Sequence, residues 1–146
     1  MTFLISACLL GTPCRYDGAE KAIPEAIRAL MPTHTLIPIC PEILGGLPTP
    51  RPPAQRQTDG RVRNVRGEDV TEAYERGAKE VIRLFRLLEA DGVILRDKSP
   101  SCGTDGIYDG SFTRTLTAGW GITAEALRAV GIPVFSEKGP FPCDKK

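Results

Sequence analysis

Four short apolar runs, spaced by helical patterns and Gly/Pro-rich stretches, set the strongest limit on how this chain can fold. Residues 3–9 (Phe-Leu-Ile-Ser-Ala-Cys-Leu) are apolar with little alternation, as expected for a strand covered on both faces. Runs at 35–40, 93–95 and 132–135 follow. Between them, residues 22–31, 69–89 and 122–130 read as helices. The longest is the clearest, because Val70, Ala73, Tyr74, Gly77, Val81, Leu84, Phe85 and Leu88 share one face. Asp69 and Glu72 have the spacing of a capping box at its start. Strands alternating with helices predict a mostly parallel sheet, and right-handed crossovers make it doubly wound. The expected architecture is a single-domain, three-layer, Rossmann-like α/β fold over residues 1–138, with a polar tail at 139–146. Pro38 removes a backbone donor, which suggests that 35–40 lies at a sheet edge or is irregularly paired. Residues 41–68 are too long for a plain connector and carry five prolines between 41 and 53. Within them, 61–65 suits a small strand or hairpin.

Composition narrows the function. The chain has 146 residues with 41% hydrophobic content and a net charge of +1. That balance gives no strong nucleic-acid signal and no membrane-surface signal. No run approaches the roughly 20 apolar residues of a membrane span, and the N-terminus lacks the basic region of a signal peptide. A cytoplasmic location is the expectation. Five cysteines cannot all pair with one another, and a reducing compartment disfavours disulfides. The single histidine, His34, rules out a multi-histidine zinc site and suits a surface turn better than a catalyst.

Three cysteines carry the functional argument. Cys8 lies at the end of the first strand run, Cys40 at the end of the second, and Cys102 in the loop after the third. In a parallel sheet these ends face one edge, where ligands of open α/β sheets bind. Each sits beside Gly, Pro or polar residues rather than in an apolar core run. Buried inert thiols therefore explain them poorly. Zinc modules favour closely paired cysteines such as C-x-x-C, and none occurs. Iron–sulfur clusters normally take four cysteines. Three would leave one iron open as a Lewis acid.

The same residues carry a family resemblance. The segments Ile5–Gly11 with Cys14-Arg15-Tyr16-Asp17-Gly18, Cys40-Pro41-Glu42 with Gly45-Gly46-Leu47 and Pro50-Arg51-Pro52, and Ser99-Pro100-Ser101-Cys102-Gly103 with Tyr108-Asp109-Gly110-Ser111-Phe112 resemble the family that includes thiouracil desulfidase. The match runs from Ile5 to Ser136. It implies a [4Fe–4S] cluster held by Cys8, Cys40 and Cys102, with the fourth iron free to take the sulfur of a small thiolated nucleobase. Water then replaces the sulfur without net redox change. The assisting carboxylate maps onto Glu42, and the assisting serine onto Ser99 or Ser101. Elementary chemistry agrees, because a thiocarbonyl is a soft donor and the attacking water needs a base.

Two rival readings remain at this level: a non-catalytic iron–sulfur redox or oxygen sensor, and a zinc-binding interaction module. Glu42 and the serines favour the enzyme. Cys14 reads as a structural or redox-sensitive thiol more than a ligand, and Cys143 as a tail residue. Arg15, Asp17 and Arg51 suit surface ion pairs or substrate contacts. Lys98 suits either an offset to cluster charge or a simply solvated position. Trp120, between two glycines, and Gln55, after the Pro-rich run, depart from the family pattern and bear on substrate choice.

Overall fold

The computed structural model describes residues 1–19, 22–104 and 106–142, so Cys143 lies outside the described residues. The central sheet holds four strands: β1 (Thr2–Ser6), β2 (Thr35–Ile39), β5 (Gly92–Leu95) and β8 (Val134–Ser136). Their order is β2-β1-β5-β8 and every pairing is parallel. The expected α/β fold is therefore present, and β2, with Pro38, is an edge strand. The chain leaves β1 toward β2 and later crosses back to β5. The topological switch point thus falls between β1 and β5, and ligands of open α/β sheets bind beyond the strand ends at such a point.

Side chains alternate across this sheet as the pleat requires. Leu4, Val93 and Leu95 face one layer, formed by α3 (Thr71–Leu87) through Val81 and α4 (Ile122–Ala129) through Ala124 and Leu127. Phe3, Ile5 and Ile94 face the other layer, where α1 (Glu25–Arg28) contributes Ile27. Phe141 is buried in that second layer, so the segment after Gly139 is less detached than its polar composition suggests.

Several boundaries differ from the sequence reading. Strand β1 stops at Ser6, and Ala7–Leu10 form a 3₁₀ turn closed by Gly11 at φ 86°. Cys8 therefore sits on the turn, where the thiol can be aimed away from the ladder. The first helix shortens to Glu25–Arg28, with Pro24 at its N-cap. Residues 41–68 contain α2 (Pro41–Leu44) and an antiparallel hairpin of β3 (Ala54–Arg56) and β4 (Val62–Asn64). A second small hairpin pairs β6 (Ile107–Tyr108) with β7 (Leu116–Thr117). Asp69 does not form a capping box. It lies two residues before α3, and its carboxylate accepts the Thr71 N–H at 3.0 Å. Leu88, assigned to the buried face, is exposed because the helix has ended.

Helix α2 lies directly on α3 through two glycines. A Cβ on Gly45 would fall 1.9 Å from the Ala73 carbonyl oxygen, and one on Gly77 would fall 1.9 Å from that of Pro41. Glycine inside a helical pattern is costly and signals close backbone approach. Here the approach fixes the residues that follow Cys40.

Candidate active site

The three sequence-predicted cysteines come from the same edge of the sheet. Cys8 is on the turn after β1, Cys40 is the N-cap residue of α2 directly after β2, and Cys102 follows β5. Cys8 and Cys102 thus leave from the two strands that border the switch point. Cys102 is buried and anchored from two sides. The Ser6 hydroxyl lies 3.5 Å from its sulfur and accepts the Arg96 N–H at 3.1 Å. The Ser101 hydroxyl lies 3.3 Å from the same sulfur.

The structure adds a fourth thiol. Cys14 is 4% exposed and hydrogen-bonds through its thiol to Cys40 and Cys8. Its proton, shared with them, lowers the Cys8 thiol to about 6 and the Cys40 thiol to about 7. The same sharing, first with Cys40, raises Cys14 above the usual thiol range. Cys102 behaves differently: burial pushes it up to about 12, against the pull of the Ser6 hydroxyl. Arg96, rather than Lys98, is the cation at Cys8, because its guanidinium hydrogen-bonds that thiol. Lys98 is exposed at φ 69°.

Glu42 joins the group through its neighbours. It occupies the first turn of α2, with 13% of its side chain exposed. Oε1 accepts from Ser101 Oγ at 3.0 Å and lies 3.5 Å from Ser99 Oγ. Oε2 accepts from Arg51 Nε at 2.9 Å and pairs with Nη2 at 2.7 Å. The buried Tyr74 hydroxyl, carried by α3, also hydrogen-bonds this carboxylate. Burial first, then the Glu42 charge, raises the Tyr74 phenol well above its ordinary value.

The two serines have different places. Ser101 is fully buried, whereas Ser99 is half-buried. Ser99 Oγ accepts the N–H groups of Ser101 at 3.1 Å and Cys102 at 3.2 Å. Its own proton is then directed to Ser101 Oγ, 2.9 Å away, and that of Ser101 to Glu42. The result is a directed chain from Ser99 through Ser101 to the carboxylate.

Other sequence-level suggestions fall elsewhere. Arg51 is neither a surface ion pair nor open to a substrate, since only 6% of its side chain is exposed. Arg15 pairs with Asp17 at 3.6 Å. His34 meets the N-terminal amine and the edge of Phe3, far in the fold from the cysteines. Trp120 stacks on the Arg128 guanidinium, 4.4 Å from its centroid, and Gln55 Oε1 accepts the N–H groups of Gly110 and Phe112. Cavities of about 460 and 490 Å³ flank Trp120, and neither is lined by a cysteine. Donor chemistry, more than concavity, therefore marks the site.

Among the described residues no three His, Cys, Asp or Glu side chains converge to hold a single metal ion. A multi-iron cluster asks for a different arrangement, because its ligands bind separate irons and need not meet at one point. Soft thiol donors from three separate strand-end segments, with a carboxylate and hydroxyls alongside, fit such a group.

Thiols and a buried carboxylate at the switch point of a parallel sheet define a class: a small α/β protein with a group of thiols at its strand ends. Within it, the chain belongs to the 2-thiouracil desulfurase family, whose model matches residues 3–139. It is 39% identical over 143 residues to the uncharacterized protein YbbK of Bacillus subtilis (strain 168), covering 92% of this chain and 94% of that one. Among solved structures it resembles the [4Fe-4S]-dependent thiouracil desulfidase TudS at 43% identity and a TM-score of 0.87. That alignment covers 94% of this chain and 91% of the other. No helix among the described residues is long and apolar enough to cross a membrane.

Proposed function

We propose that this protein is a [4Fe–4S]-dependent desulfidase that converts a thiolated nucleobase such as thiouracil, with water, into uracil and hydrosulfide. Cys8, Cys40 and Cys102 hold the cluster and leave one iron without a protein ligand. Cys14 serves as a hydrogen-bond donor to two of these sulfurs. When bound, the cluster supplies a soft Lewis acid to which a thiocarbonyl sulfur coordinates, polarising its C–S bond.

The protein supplies the proton chemistry. Glu42 Oε1 receives one proton of the water through Ser101 and Ser99 as the hydroxyl adds to the thiocarbonyl carbon and returns it to the departing sulfur, while the hydroxyl proton is released to solvent as the carbonyl forms and hydrosulfide leaves. The base regains its starting state, no electron is gained or lost, and water supplies the oxygen of the product. Ser99, half-buried at the outer end of the chain, is the hydroxyl placed to meet the substrate or its water. Arg96, which hydrogen-bonds Cys8, helps to offset the charge of the cluster.

One observation carries this reading: Glu42 is linked by Ser101 to the sulfur of Cys102, through contacts of 3.0 and 3.3 Å. A sensor needs no carboxylate tied to its ligand in this way. The test begins with anaerobic reconstitution. About four iron and four sulfide per chain are expected. Loss of thiocarbonyl absorbance from 2-thiouracil or 4-thiouracil should then appear, with uracil and hydrosulfide released in equal amounts. Glu42→Gln should keep the brown colour and lose turnover. A colourless protein binding one zinc would refute the cluster, and a cluster inert toward every thiolated base would refute the activity.

A further inference from the structure

The Arg51 guanidinium has a complete set of partners. An arginine carries five N–H donors: one on Nε and two on each terminal nitrogen. Nε donates to Glu42 Oε2 at 2.9 Å, and Nη2 reaches the same oxygen at 2.7 Å and the Cys14 carbonyl at 3.0 Å. Nη1 donates to the Pro48 carbonyl and to Thr49 Oγ1, each at 3.1 Å. Four hydrogen bonds engage all three nitrogens, and Nη2 is also drawn to Oε2 as an ion pair, which leaves little of the guanidinium for a substrate.

The asymmetry of the grip is informative. Both Arg51 contacts to the carboxylate fall on Oε2, Ser101 and Ser99 meet Oε1, and the Tyr74 hydroxyl adds a further hydrogen bond to the group. A carboxylate is free to turn about its last bond and exchange its two oxygens. A guanidinium that holds one oxygen through an Nε hydrogen bond and an Nη2 ion-pair contact, and is itself held by three further bonds, opposes that rotation. The Cys14 carbonyl on the same guanidinium ties the loop after Cys8 to the helix after Cys40.

Resting on the function proposed above, we infer that Arg51 is a positioning residue: it holds Glu42 so that Oε1 alone faces the serines, and it touches neither substrate nor cluster. Lysine, with a point charge and no fork, cannot reproduce this. The ion pair is largely withdrawn from water, where losing one partner leaves the other uncompensated, so the variants must separate orientation from folding.

The experiment uses reconstituted wild-type protein, Arg51→Lys, Arg51→Gln, Glu42→Gln and the Glu42→Gln/Arg51→Gln double variant. Iron and sulfide per chain, melting temperature, kcat and KM for 2-thiouracil are measured for each. The single Arg51 variants should keep their iron and lose about tenfold or more in kcat, with KM changed by less than about twofold. In the Glu42→Gln background, Arg51→Gln should cost less than about twofold in residual kcat, because its effect passes through the carboxylate. A higher KM at unchanged kcat would make Arg51 a substrate ligand and overturn the inference. So would equal losses with and without Glu42, or loss of iron from both single variants. If wild-type protein leaves 2-thiouracil intact, the substrate reading fails on its own. The pairing is then judged from melting temperatures of the same five proteins: losses smaller together than their sum support the inference, and additive losses refute it.

Discussion

Gly77 is where a single methyl group should reach the candidate site from a distance. In Gly77→Ala the new Cβ would sit 1.9 Å from the Pro41 carbonyl oxygen, whereas real Cβ contacts essentially never fall below 3.0 Å. The obstacle is backbone, so no rotamer change relieves it, and α2 and α3 must part by about 1 Å before repulsion is tolerable. Alanine itself favours a helix over glycine by about 1 kcal/mol. Overpacking of this kind costs about 1–3 kcal/mol, and the rigidity of both partners puts this case at the upper end. The net loss is about 1–2 kcal/mol, or a fall of roughly 3–8 °C in melting temperature for a chain of this size. Because α2 carries Glu42 and begins at Cys40, a shift of that size should also lower turnover by up to about 100-fold. Gly67→Ala is the control: Gly67 has nothing within 4 Å and a φ of +82°, so its cost is local strain of about 1 kcal/mol with no change at the site. Melting temperature, iron content and kcat of the two variants are the assay. If Gly77→Ala melts at or above wild type with full activity, the helix contact does not place Glu42.

Three further outcomes are expected. Thr123 is fully buried, and its hydroxyl has no partner among the described residues, so Thr123→Val should raise stability by about 1 kcal/mol in a urea titration; a destabilised variant would show that the hydroxyl is used. In reduced, cluster-free protein, Cys8 and Cys40 are held down to about 6 and about 7 by the Cys14 proton. Their alkylation by iodoacetamide should therefore be fast at neutral pH and fall as pH drops through those values. Cys14→Ala removes that donor, so the pH midpoint should move up toward the ordinary thiol value, and an unchanged midpoint would refute the coupling. Gln55→Ala strips one acceptor from the Gly110 and Phe112 N–H groups and should speed hydrogen exchange there by about tenfold, whereas Gln55→Glu should preserve protection.

The local sequence signals were strong where hydrophobic burial alone decides. The run 93–95 is buried at every residue, and the 3.6-residue pattern of α3 located Ala73, Tyr74, Gly77 and Val81 correctly. Alternating strands and helices sufficed for a parallel sheet, and that sheet sufficed to bring Cys8, Cys40 and Cys102 to one edge. Pro38 announced an edge strand because a missing N–H is a property of the residue itself.

The partners of polar side chains were a different matter. Arg51 resembled any surface arginine, because its five contacts come from Glu42, Cys14, Pro48 and Thr49 and depend on how the loop folds back. Cys14 looked incidental until the loop after β1 returned it to Cys8 and Cys40. Ser99 and Ser101 are alike in sequence, and only the burial of one and the backbone donors on the other separate them. Gly45 and Gly77, 32 positions apart, gave each a hint of close approach but not of each other. Periodicity and side-chain chemistry act within a few residues, so the sequence by itself determined the strands, the layers and the edge that bears the thiols. Hydrogen-bond direction and backbone contact act over a few ångströms in space, so only the tertiary structure decided which oxygen of Glu42 faces the serines and which residue holds it there.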